Sequence, residues 1–366
     1  MRMRFSSHSD RCIAPKFSTN YAPAESPRRA RIAPIDSARS VWHPRVSAVS
    51  AGDRLTARLS SLILQPSFGT VSCRSQDGAL YGDRAMIPER VLGGIRQLEP
   101  LPALAQALLA SLHRGGETPT AEITKLLRQD GAVASRIVAV LNSPLYAGRY
   151  PMETAEEAVL RFGVAPILDV LLTDYVRRFH LDAPLYGLKG DEVWLHGTIG
   201  SLAVIEVIRE NPRKEIPRIA SVAALIHDIG KMLMVKYFDA RSEELDILCQ
   251  RQDITFAEAE RRKFGCNHAE VGAAMATYWG FPESVSEAIG NHHEAPLPDP
   301  NALTDAVALA NLVAKTIGIG LGREGMNFQI DSGCYTRLGL DFNAFCRVCA
   351  RTALSLGALK QAYGQA

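Results

Sequence analysis

The stretch that decides the fold is Leu225-Ile226-His227-Asp228-Ile229-Gly230-Lys231, set inside an apolar, helix-forming segment, residues 219–238. An imidazole and a carboxylate stand side by side there, where the flanking residues belong to a core. An unpaired carboxylate is expensive to bury, so the pair calls for an ion, a cationic partner or hydrogen bonds. Other histidines surround it in sequence: His196 before, then His268 and the pair His292-His293 after. Imidazole and carboxylate ligands drawn from several helices are what a divalent metal site in a helical bundle needs. Adjacent residues on a helix are turned about 100° apart. His227 and Asp228 therefore converge only on an ion at the groove edge between their directions, with neighbouring helices supplying the rest.

On this reading His196, His227, Asp228 and position 311, an asparagine, form a first site. His268, His292 and His293 hold a second ion. Fe, Mn or Mg is the expected cofactor, as one or two ions. Such a site activates water toward a phosphoester, with Asp228 at its centre and Lys231 as a point charge for phosphate oxygens. The plainer alternative makes His227-Asp228 a hydrogen-bonded pair that fixes helix packing, and His196 a core histidine.

Outward from this centre the helical period is continuous. Residues 191–210 set His196 on one stripe with Ile199, Gly200, Ala203 and Val207, facing inward. Downstream, 242–252 and 256–264 read as helices charged on their outer faces. Asn267 with Glu270 forms a capping box that places His268 in a first turn. Pro282 opens the next helix, whose last turn is His292-His293-Glu294; a helix over 303–317 contains Asn311, and a terminal helix covers 342–362. Upstream, from Ile87 to about residue 180, short helices follow one another: Thr118 caps one with Pro119 at its first position, Asp130-Gly131 stops and restarts the pattern, and Asn142-Ser143-Pro144 ends it. His113 and His180 read as ordinary surface or boundary residues. The expected fold is all-α.

The net charge of +2 hides an asymmetry: residues 1–85 carry thirteen Lys/Arg against six Asp/Glu, and residues 86–366 carry twenty-eight against thirty-three. The first 85 residues, rich in Ser, Arg, Ala and Pro without apolar period, read as a disordered basic tail. The acidic remainder gives no electrostatic reason to expect nucleic-acid binding. Seven cysteines at irregular spacing fit reduced thiols in a cytoplasmic protein. Cys346 and Cys349 read as apolar residues on one helix face. No apolar run of membrane-spanning length occurs.

The order His196, His227-Asp228, further histidines and position 311 resembles the HD superfamily of phosphohydrolases, which usually has Asp where this chain has Asn311. His227-Asp228-Ile229-Gly230-Lys231 with His292-His293-Glu294 is similar to the HD-GYP cyclic-dinucleotide phosphodiesterases. The Gly-Tyr-Pro of that branch is replaced by Ala295-Pro296-Leu297-Pro298. Upstream, Leu98-Glu99-Pro100-Leu101-Pro102, Asp130, Leu141-Asn142-Ser143-Pro144 and Ala158-Val159-Leu160-Arg161-Phe162-Gly163 resemble the HDOD domain, the HD-related output domain of bacterial signalling proteins, over about residues 88–320. The resemblance implies a helical N-terminal lobe (86–180), an HD-like helical core (181–320) and a C-terminal extension (321–366). It also implies a signalling output or scaffold module, many of whose relatives have lost their metal ligands. The expected partners are signalling proteins and a nucleotide ligand, with no membrane. The competing expectation is a metal-dependent phosphodiesterase acting on a nucleotide or cyclic dinucleotide.

Overall fold

The computed structural model describes residues 87–113, 120–146, 151–178, 182–210, 215–238, 242–297 and 299–363. The basic tail, the Thr118-Pro119 helix start, His180 and the His113 side chain lie outside them. Apart from one isolated bridge between Ala183 and Leu188, every regular element among the described residues is helical. In chain order these are α1 (Glu89–Ile95), α2 (Ala103–His113), α3 (Thr120–Gln129), α4 (Gly131–Leu141), α5 (Ala155–Phe162) and α6 (Val164–Arg177). A 3-10 turn (Pro184–Tyr186) leads to α7 (Glu192–Glu210), α8 (Ala220–Ile226), α9 (Gly230–Tyr237), α10 (Ser242–Gln252), α11 (Phe256–Phe264), α12 (His268–Tyr278) and α13 (Glu283–Gly290). Last come α14 (Ala302–Thr316), α15 (Gly333–Leu338) and α16 (Phe342–Ala362).

The caps are set by local chemistry. The Asp130 side chain accepts from Val133 N at 3.0 Å and restarts the chain as α4. Thr154 caps α5, and Asn267 with Glu270 closes a full capping box at α12. A helix start leaves backbone N–H groups without carbonyl partners, and these side-chain oxygens accept from one of them.

The centre of the packing is α8, all seven of whose residues are buried. It is enclosed by α6, α7, α13 and α14, while α1 and α12 pack on α9. Each fully buried Val, Leu or Ile on α8 stabilises by about 1.5–3 kcal/mol. Two glycines bring the backbones close. A Cβ on Gly197 would lie 2.1 Å from Leu225 O, so α7 meets α8 along bare backbone. A Cβ on Gly230 would lie 2.0 Å from His268 O, so α9 meets α12 the same way. These approaches bring His196 and His268 up to the His227-Asp228 pair.

Three local expectations are corrected. Residues 219–238 form two helices, not one, because Ile229 N and Lys231 N bond to carbonyls three residues back, at Ile226 O and Asp228 O. This tighter turn swings His227 and Asp228 further apart around the axis than an α-helix would. His292 and His293 lie just past the end of α13, in a turn closed by Glu294 N bonding Asn291 O at 2.9 Å. Glu260, read as part of a charged outer face on α11, is 0% exposed.

Candidate metal centre

Asp228 is the hub of a buried cluster built from α7, α12, α14, the α8–α9 turn, the turn after α13 and the strap of residues 317–328. The structure brings together every ligand expected from the sequence: His196, His227, Asp228, His268, His292, His293 and Asn311 are all buried. Two groups have geometry able to hold an ion, His196/His227/Asp228 and Asp228/His268/His292/His293, with Asp228 common to both. Asp228 Oδ2 lies 3.5 Å from His196 Nε2 and 3.6 Å from His227 Nε2. Asp228 Oδ1 lies 3.3 Å from His268 Nε2 and 3.9 Å from His292 Nε2. Metal–ligand bonds of about 2.0–2.2 Å give donor-to-donor edges of roughly 3.0–3.5 Å; the His196 and His268 separations have that length, and those to His227 and His292 are longer.

The tautomers support the same fit. His227 Nδ1 donates to Ala224 O at 2.7 Å, and His292 Nδ1 donates to Ile289 O at 2.6 Å. A carbonyl can only accept, so each neutral ring carries its proton on Nδ1 and offers a lone pair at Nε2. Both Nε2 atoms are buried with no hydrogen-bond partner. His196 Nδ1 likewise donates to Ile319 O, and its Nε2 faces Asn311 Oδ1 at 3.2 Å, two acceptors directed at one point. His268 Nδ1 donates to Glu260 at 2.6 Å, the carboxyl–histidine arrangement that orients a metal-ligating ring. Glu260 is itself fixed by the Tyr186 hydroxyl, which donates to it at 2.5 Å. The donor set therefore fits a divalent ion that accepts imidazole nitrogen.

Two lysines share this space. Lys231, expected to face a phosphate, is instead buried, with Nζ 2.7 Å from Asp228 Oδ2 and 3.0 Å from Glu324 Oε2. The reason is local: Asp228 lies three residues back on the same turn, and Glu324 reaches in from the strap. Lys315 Nζ pairs with Glu324 Oε1 at 2.8 Å. Burial works against charge on all these groups. The Lys231 ammonium nevertheless holds the Asp228 carboxyl well below the usual range, and Lys231 and Lys315 do the same for Glu324.

The sequence reading missed Glu260, Glu324, Lys315 and Tyr186. Lys315 had a signal, since it interrupts an otherwise apolar run beside Asn311; the others had none. The strap closes over the cluster. Ile319 O holds His196, Arg323 N donates to Tyr186 O at 2.7 Å, and the Phe328 ring lies 6.2 Å from that of His293 and 4.7 Å from Lys315 Nζ.

The electrostatics predict how the metal-free protein responds to acid. Burial lowers His196 to about 3 and lowers His227, His292 and His293 as well. An imidazole depressed in the folded state contributes stability above its ordinary value of 6.5, and this is lost as pH falls toward the folded value. Asp228 and Glu324, also depressed, add to the loss at still lower pH. His268 runs the other way: burial opposes its charge, but Glu260 and Asp228 more than offset that and raise it to about 9. Its contribution is whole below 6.5 and fades as pH rises through 9. Chelated protein should therefore show its highest urea midpoint near about pH 7, losing a few kcal/mol by about pH 5. A midpoint at pH 5 equal to that at pH 7 would refute neutral buried rings.

Comparison with known proteins follows the same lines. The model of the HDOD domain family matches residues 98–295. A protein of Treponema pallidum (strain Nichols), described only as uncharacterized, is 21% identical over 224 residues. That is 60% of this chain and 43% of the relative, so the chain spans less than half of that protein's length. The crystal structure of an HDOD domain protein with unknown function from Geobacter sulfurreducens superposes with TM-score 0.55 at 24% identity, covering 75% of this chain and 96% of that one. A protein from Marinobacter aquaeolei VT8, provisionally described as a signal transduction protein, gives TM-score 0.53 at 17% identity, covering 86% and 65%. At these identities the structural likenesses establish the fold alone.

Proposed function

The chain belongs to the HDOD domain family, and from that premise we propose that it is a regulatory output module of bacterial signal transduction, working through protein or ligand contacts in the cytoplasm, with one divalent ion at most in its core. The observation that carries this reading is the pairing of Lys231 with both Asp228 and Glu324 inside a sealed cluster. Lys231 supplies from within much of the positive charge a metal would bring. Asn311, neutral where the resemblance leads one to expect a carboxylate, further lowers the pull of the His196/His227 side on a cation. What remains is the Oδ1 side of Asp228 with His268, His292 and His293, where Glu324 Oε1 stands 3.5 Å from His293 Nε2.

Three imidazoles and one carboxylate suit Fe or Mn better than Mg, which prefers oxygen ligands. An ion there would hold the turn after α13 against α9 and α12, and would polarise a bound oxygen group. His268 must give up the proton it holds between Glu260 and Asp228, so metal affinity should rise with pH. The domain boundaries expected from the sequence, 86–180, 181–320 and 321–366, are part of this proposal. No described helix is long and apolar enough to cross a membrane.

A metal-dependent phosphodiesterase is the second reading, favoured by the partnerless Nε2 atoms of His227 and His292. Metal analysis of the purified chain, followed by assays on cyclic dinucleotides with added Mn²⁺, Fe²⁺ or Mg²⁺, separates the two. We expect no more than one equivalent of metal and no turnover, and a second equivalent in Asn311→Asp. Phosphodiester turnover abolished by His227→Ala would overturn the scaffold reading.

A further inference from the structure

Residues 317–328, the strap across the histidine cluster, are irregular backbone lying mostly at the surface. Within them Glu324 alone is buried, at 3% exposed. A surface segment is ordinarily pinned by an apolar side chain; this one is pinned by a carboxylate. Glu324 Oε2 lies 3.0 Å from Lys231 Nζ, and Oε1 lies 2.8 Å from Lys315 Nζ. Both ammoniums belong to core helices, α9 and α14. The strap's other ties are weaker. Arg323 N donates to Tyr186 O at 2.7 Å and His196 Nδ1 to Ile319 O at 3.0 Å, single hydrogen bonds between uncharged groups. The Arg323–Asp246 pair, at 2.9 Å, is partly in solvent and contributes little.

The rest of the enclosure cannot part so cheaply. Helix α7 meets α8, and α9 meets α12, backbone against backbone at Gly197 and Gly230. His293 is the most exposed of the clustered histidines, at 8%, and it lies on the strap side. Its Nε2 is 3.5 Å from Glu324 Oε1, and its ring is 6.2 Å from that of Phe328. The strap also has pivots. Gly318 and Gly325, on either side of Glu324, hold φ of +89° and +55°. No heavy atom comes closer than 4.0 Å to a Cβ placed at either position. Glycine takes positive and negative φ about equally readily, so both can turn when the strap lifts.

We propose that residues 317–328 are a gate latched by Glu324 between Lys231 and Lys315, and that lifting this strap opens the path by which a divalent ion reaches the histidine cluster. The inference rests on the reading that the cluster accepts an ion, and adds how access to it is controlled. Segments with few buried apolar contacts open locally at a free energy well below that of global unfolding. Here the carboxylate and the two lysines set that free energy, and with it the rate of exchange between the cluster and solvent.

The test follows the full, metal-free chain by amide hydrogen exchange and by Co²⁺ uptake, read from the absorption that Co²⁺ acquires on binding imidazole. In the wild type the Arg323 amide should exchange at least about tenfold faster than the amides of α8, because the strap opens without global unfolding. Glu324→Gln removes the latch and leaves Lys231 its bond to Asp228. Strap exchange and Co²⁺ uptake should both accelerate at least about tenfold. Gly318→Ala leaves every charge in place and strains the closed strap, so both rates should rise about fivefold or more. It also carries the test should Glu324→Gln fail to fold. Arg323 and α8 exchanging at one common rate would overturn the gate. So would strap exchange unchanged by both variants, or faster strap exchange with unchanged Co²⁺ uptake. An absence of Co²⁺ binding in every variant would overturn the reading of the cluster as an ion site, and the gate with it; binding at equal rates would sink the gate alone.

Discussion

Replacing Lys231 by methionine should destabilise the protein by about 3–5 kcal/mol, the range seen when one partner of a buried ion pair is removed. The ammonium is 1% exposed and is shared by Asp228 and Glu324. Methionine nearly matches the stem in size, so little packing is lost and the cost reports Asp228 stripped of its lysine and Glu324 left with Lys315 alone. Asp228→Asn should cost a similar amount for the complementary reason: Lys231 would keep Glu324 but lose its closer partner. The double variant decides the matter. If the pair neutralises itself, Asp228→Asn with Lys231→Met should cost less than the sum of the singles by about 1–3 kcal/mol. Urea unfolding of metal-free protein gives all four corners of the cycle. Additive losses, or a Lys231→Met penalty under about 1 kcal/mol, would mean that Lys231 is not the internal counter-ion on which the regulatory reading depends.

Gly230→Ala should be comparably severe, at about 3 kcal/mol or more, for a reason that involves no charge. The added Cβ would meet His268 O at 2.0 Å and Gly272 N at 2.6 Å. Both obstacles are backbone, and neither can swing aside as the end of a side chain would. The helices α9 and α12 must separate, and His268 moves away from Asp228 as they do. Gly357→Ala on α16 is the matched control, because nothing lies within 4 Å of its Cβ position. There the substitution should stabilise by up to about 1 kcal/mol, since alanine loses less backbone entropy on entering a helix. Thermal melts of the two variants, with metal content measured on each, check the pair. A Gly230→Ala protein with wild-type stability would show that α9 and α12 tolerate separation and that the close approach does not position the site.

Much of the architecture could be read along the chain because helices are specified locally. The Asn267-Glu270 capping box, the Asp130 restart and the terminal helix over residues 342–362 each depend on neighbours a few residues apart. The histidines could be found as candidates because imidazoles at inward-facing positions of apolar helices demand partners. Their convergence on Asp228 needed the fold, since it depends on how α7, α12 and the turns after α8 and α13 pack.

The all-α character and the seven ligand-type residues were legible in the amino acids alone. The state of that cluster depends on packing between distant segments. Glu260 lay on a helix whose pattern read as charged outward, and Glu324 sits 93 residues from the lysine it neutralises. The proton on each imidazole and the counter-ion of Asp228 are set by through-space distances. Electrostatic energy falls with separation in space and takes no account of separation along the chain.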